Sequence, residues 1–165
     1  MSIQRYFTHL TKTRFALRRA FSPPTLANIE SAIARDETRH GGQIRFVVET
    51  ALDWPELRAR VSARERALEV FSHLRIWDTE ENNGVLVYVL LAERDVEIVA
   101  DRGIHAKAGA DAWESICRGM EQAFRAGHFE QGSVAGIHAV GEHLAKHFPP
   151  SQGRRDELPN KPVVL

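Results

Sequence analysis

The chain has 165 residues, 22 acidic and 22 basic side chains, and a single cysteine, Cys117. One domain of this size can bury a core without disulfides or a structural metal, and a lone thiol excludes both an internal disulfide and a CxxC redox or zinc motif. No apolar run approaches the roughly 20 residues needed to span a bilayer, and charges interrupt the N-terminal segment throughout, so neither a spanning helix nor a signal peptide is predicted and the expected location is cytoplasmic.

The charge is lopsided along the chain. Residues 1–29 carry Arg5, Lys12, Arg14, Arg18 and Arg19 and no acid, so the rest of the chain is acidic. Within residues 1–21, Ile3, Phe7, Leu10, Leu17 and Phe21 fall near one helical face, with the cations mostly on the others. This predicts a basic amphipathic helix. It either docks on the body or contacts a partner or the inner face of a membrane.

Ser22-Pro23-Pro24 starts the next helix, because serine caps and proline in the first turn loses no useful donor. Leu26, Ile29 and Ile33 give it an apolar face, and Gly41-Gly42 ends it. "QIRFVVET" alternates Ile44, Phe46 and Val48 against Arg45 and Glu49, with Val47 on the second face, which predicts a strand covered on both sides. From Asp53-Trp54-Pro55 one helix is predicted, with Leu57, Val61, Leu68, Phe71 and Leu74 inward. "GVLVYVLLA", residues 84–92, reads as the central strand, apolar on both faces. "ERD" turns the chain, and "VEIVAD", residues 96–101, returns antiparallel. A helix with Asp111 near its start carries Trp113, Ile116, Cys117, Met120 and Phe124. Gly127 stops it, and a last helix runs from about residue 132 to 148. Residues 149–165 are rich in proline, asparagine and charge, which predicts a disordered tail. The order implies an α/β fold, an α/β/α sandwich on a mixed sheet, with a helical crossover between two parallel strands. The body spans residues 22–148.

Three motifs occur in register: "NNGVLVYVL", "RDVEIVADRGI" and "FRAGHFEQG". Together they resemble the TPM domain family over roughly residues 25–148. Members of that family include a thylakoid-lumen acid phosphatase, photosystem II repair proteins and a nematode receptor modulator. The resemblance implies an α/β/α sandwich around a mixed sheet. It also implies either an adaptor role or phosphatase chemistry. Where relatives often have a glycine-tyrosine-glycine-like segment after the hairpin, this chain has Ala100-Asp101-Arg102-Gly103. Many relatives are exported or membrane-tethered, and this chain shows neither signal.

"WDTEENNG", residues 77–84, packs oxygen donors into a short loop ahead of the central strand. In a hairpin turning near residues 93–95, Asp101 should end beside Asn82 and Asn83. Asp111 opens the following helix. Asp78, Asn82, Asn83, Asp101 and Asp111 therefore form the candidate metal site, for Ca2+ or Mg2+ because all the donors are oxygens. The EF-hand spacing is absent. The same residues have structural explanations: Asn-Gly forms turns, and Asp111 and Asp78 can cap. His143 and His147, four apart on a helix, form a weaker metal pair without HExxH. Cys117 reads as a core residue, and His9, His40 and His73 as surface or helix-end residues.

The sequence favours a non-enzymatic interaction module with a protein partner, acting near a membrane-associated assembly through residues 1–21. The alternative is a metal-dependent acid phosphatase on phosphate monoesters, with Arg94 and Arg102 to balance phosphate charge. No P-loop, aspartyl-phosphate or Cys-x5-Arg motif is present. A nucleic-acid module is disfavoured by the acidic body and the lack of a base-stacking motif.

Overall fold

The computed structural model describes residues 5, 8, 9, 14–150 and 156–165. Ile3, Phe7 and Leu10 of the predicted N-terminal stripe lie outside them. In chain order the elements are α1 (Arg14–Ala20), α2 (Pro23–Glu37), β1 (Gln43–Glu49), α3 (Trp54–Ala59), α4 (Ala63–His73), β2 (Gly84–Leu90), β3 (Asp95–Ala100), α5 (Arg102–Ala108), α6 (Ala110–Arg125), α7 (Phe129–His147) and β4 (Val163–Val164).

The sheet is mixed, in the order β3-β2-β1-β4. β1 and β2 run parallel, from Gln43 beside Gly84 to Glu49 beside Leu90, and every residue of both is buried. That burial is what their near-continuous apolar sequences require. β3 returns antiparallel to β2, with Val85 opposite Ala100. Alternation along the strands then divides the core in two. Ile44, Phe46, Val48, Val85, Val87, Val89 and Ile98 meet α1, α2, α5, α6 and α7 on one face. Val47, Leu86, Tyr88, Leu90 and Val99 meet α3 and α4 on the other. The result is the expected three-layer sandwich.

Several expectations fail. The helix predicted from Asp53 onward is two helices, because Arg60 takes a left-handed φ of 61° and Ser62 starts afresh. The Ser62 hydroxyl accepts the Glu65 N–H at 3.2 Å, while the Glu65 carboxylate accepts the Ser62 N–H at 2.8 Å. This reciprocal capping box overrides the apolar spacing. Leu68 consequently stands exposed rather than inward.

The predicted boundary at residue 21 cuts through the core. Phe21 is buried, with ring centroids 6.0 Å from Phe46, 6.1 Å from Phe124 and 5.7 Å from Phe129. Leu17 packs against the same cluster. Ahead of α1, the Arg5 guanidinium donates to Glu93 at 2.7 Å and to the Val61 carbonyl at 2.8 Å. His9, expected at the surface or at a helix end, is buried, with Nδ1 accepting the Leu52 N–H at 3.0 Å. His40 is buried as well.

The tail is ordered over residues 156–165. β4 pairs parallel with β1, Val47 beside Val163. The Gln43 side-chain oxygen accepts the N–H groups of Glu157 at 3.0 Å and Leu158 at 2.9 Å. Arg45, buried, donates to the carbonyls of Pro159 and Lys161. Leu158 enters the second core. Hydrogen bonding to an otherwise open edge outweighs the polar composition of the tail.

Candidate functional site

The loop after α4 reaches β2 along a tightly constrained path. Trp77 is exposed, and the Asp78 N–H donates to the Arg75 carbonyl at 3.0 Å. The Thr79 hydroxyl accepts the Asn83 N–H at 3.1 Å. Asn82 is left-handed, with φ 53°. Gly84 is not; it is glycine for a different reason from the one its Asn-Gly context suggests. A Cβ at Gly84 would lie 2.0 Å from the Ile76 carbonyl oxygen.

The hairpin register then brings the end of β3 onto this loop. The Asp101 N–H donates to the Gly84 carbonyl at 2.9 Å, and the Ile104 N–H to the Asn82 carbonyl at 3.3 Å. Gly103 permits this closeness, since a Cβ there would sit 2.6 Å from the Asn82 oxygen and 2.9 Å from that of Glu81. Asn82 and Asp101 are thus brought together, as the turn at residues 93–95 implies. Both line one cleft of about 480 Å³ with Arg102, Trp77, Phe71 and Leu68.

Two oxygens here lack partners. Asp101 is 6% exposed; its Oδ1 accepts the Arg102 N–H at 2.7 Å, and its buried Oδ2 has no partner. Asn83 is 1% exposed; its amide nitrogen donates to the Gly41 carbonyl and to Glu81, each at 3.2 Å, while its buried Oδ1 is unpartnered. The two flank Gly84 without sharing one place: the Asn83 side chain reaches Gly41 and stands outside the cleft, and of the two only Asp101 lines it. An unsatisfied buried oxygen is costly, most of all on a carboxylate, so an occupant that donates or carries positive charge is favoured there.

The remaining predicted ligands stand apart. Asp78 is exposed and does not line the cleft. Asp111 is exposed in the first turn of α6, and the seven residues of α5 separate it from Asp101 by about 10 Å at helical rise. Among the described residues no three His, Cys, Asp or Glu side chains converge as metal ligands. A cation at Asp101 would therefore rest on one carboxylate, amide and main-chain oxygens, and water. That donor set suits Ca2+ or Mg2+, held weakly, and not Zn2+. His143 packs against Trp113, ring centroids 5.5 Å apart.

The sequence left two further features unread. A cleft of about 420 Å³ lies between β3 and α6, lined by Asp95, Glu97, Glu121, Trp113 and Cys117 among others. Burial pushes the Cys117 thiol up to about 12, so it is no nucleophile near neutral pH. On the opposite face, Glu49 accepts the Tyr88 hydroxyl at 2.5 Å and a two-pronged contact from Arg66 at 2.9 Å. The one legible sign of that network was a carboxylate and a phenol on the same face of adjacent parallel strands.

Comparison with known proteins adds the family. The TPM domain pattern matches residues 17–143. The BA42 protein of the psychrophilic bacterium Bizionia argentinensis, solved by NMR, is 32% identical; the match covers 86% of this chain and 93% of that one, with a TM-score of 0.76. Among curated proteins, none matches. With the three motifs in register, the mixed-sheet sandwich and a family match over most of its length, the chain belongs to the TPM domain family.

Proposed function

We propose that this TPM domain is a non-enzymatic interaction module that holds a divalent cation at the crossing of the β2 entry loop and the end of β3. The observation that carries the reading is the buried, unpartnered Oδ2 of Asp101, a residue that lines an open cleft together with Asn82. Calcium or magnesium would be held by Asp101 with oxygens of the 82–84 segment, and each would supply positive charge to the cleft. An affinity of about 0.1–1 mM is expected for so few charged ligands. The N-terminal helix extends the surface: Phe15 is 76% exposed on α1 and Arg18 and Arg19 are exposed with it. That combination suits a protein partner or an anionic membrane face.

Thermal unfolding tests the cation directly. Calcium should raise the melting temperature and EDTA reverse it, because a ligand that binds only the folded state stabilises it. Asp101→Asn, which keeps helix-capping ability, should remove the response. A melting temperature indifferent to millimolar calcium and magnesium would sink the cation reading.

Phosphate-ester hydrolysis is the second reading. One observation favours it: Arg102 lines the same cleft as Asp101 and could balance phosphate charge. Hydrolysis of an aryl phosphate that depends on calcium and is lost in Arg102→Ala would establish it over the adaptor role.

A further inference from the structure

Trp77 is 49% exposed and Leu68 47%, and both border the cleft that Asp101 lines, as does Phe71. Exposed aromatic and aliphatic side chains beside a buried carboxylate oxygen without a partner are poorly explained by folding alone. Packing would have buried the first, and a hydrogen bond would have satisfied the second. The cleft is about 480 Å³, the size of pockets that take a side chain or a small ligand.

Resting on the cation reading above, we infer that this cleft receives a peptide segment in which an aromatic or aliphatic residue adjoins an acidic one. The apolar side chain lies against Trp77, Leu68 and Phe71. The carboxylate sits at the Asp101 end, beside Arg102, and contributes oxygen to the cation. Charge fixes the sign of the partner. Among the groups lining the cleft, Asp101 and Arg102 cancel when alone. Once a divalent cation neutralises Asp101, the cleft is net positive and attracts an anion. Cation loading thereby becomes the condition for capture. Large aromatic side chains in a partly enclosed pocket are the usual energetic centre of such contacts.

The test uses the full chain and two capped dipeptides, N-acetyl-Phe-Glu-amide and N-acetyl-Phe-Gln-amide, with amide NMR shifts as the readout. In saturating calcium the Glu peptide should move the amides of residues 68–82 and 99–103. Replacing it with the Gln peptide, or replacing calcium with EDTA, should weaken binding about tenfold or more. Trp77→Ala and Leu68→Ser, both at exposed positions, should lose the peptide response and keep the calcium response. A calcium response with no peptide response, or equal binding of both peptides in EDTA, would overturn the inference and leave the cation site standing. Absence of any calcium response would overturn the cation site, and this inference with it.

Discussion

The N–H of Asp101 donates to the carbonyl of Gly84 at 2.9 Å, and that bond docks the end of β3 on the loop that opens β2. The docking leaves no room for side chains at two glycines. A Cβ would meet the Ile76 oxygen at 2.0 Å from Gly84 and the Asn82 oxygen at 2.6 Å from Gly103. Both obstacles are backbone, which cannot step aside as a flexible side chain can. Gly103→Ala should therefore destabilise the fold by about 1–3 kcal/mol and impair calcium binding beyond that loss, because it pushes α5 off Asn82. Urea unfolding with and without calcium measures both effects. Gly84→Ala, with the shorter contact, should cost more.

Phe21 joins the N-terminal segment to the body. Phe21→Ala should cost about 3–5 kcal/mol in urea unfolding, as truncation of a buried aromatic does. Removing residues 1–21 should give a protein that unfolds at much lower denaturant. Removing only residues 1–13 deletes the Arg5 and His9 contacts to Glu93 and should leave a folded domain. A stable, cooperatively folding chain lacking residues 1–21 would show that the aromatic cluster is dispensable.

Asp95 makes stability depend on pH. Burial, helped by Glu97, Glu121 and Glu93, raises its carboxyl from 3.8 to about 6. The folded state then holds a proton that the unfolded chain has released, so the Asp95 contribution to stability is greatest below about pH 4 and falls as pH rises to about 6. Glu97 shifts the same way, chiefly through burial. Glu93 shifts the other way: burial favours its neutral form, but hydrogen bonds from Arg5 and His9 prevail and hold it low. The difference between wild type and Asp95→Asn isolates the Asp95 part. The variant should melt higher at pH 7, and its advantage should shrink towards pH 4.

The layer structure was legible because burial on both faces leaves a continuous apolar run, as in Val85–Leu90, and one covered face leaves alternation. The approach of Asp101 to Asn82 was legible too, since hairpin register follows from turn position. Other parts depended on partners far away in sequence. Short α5 hides in "RGIHAKA", where no apolar period develops over seven residues. It is α5 that carries Asp111 away from the site. The tail looked disordered because Gln43 and Arg45, more than a hundred residues earlier, hold it through main-chain bonds that composition does not encode. Spacing alone puts Leu68 on an inward face and says nothing of what Trp77 borders. Their exposure beside Asp101 emerges only from the break at Arg60 and the placement of the loop.

Amide shifts during a calcium titration of the full chain decide whether Asp101 holds a cation. Saturable shifts are expected at residues 81–84 and 101–104, with Asp78 and Asp111 little moved, and none of these shifts in Asp101→Asn. Unchanged amides at residues 81–84 and 101–104 in millimolar calcium would contradict it, and so would shifts that persist in Asp101→Asn.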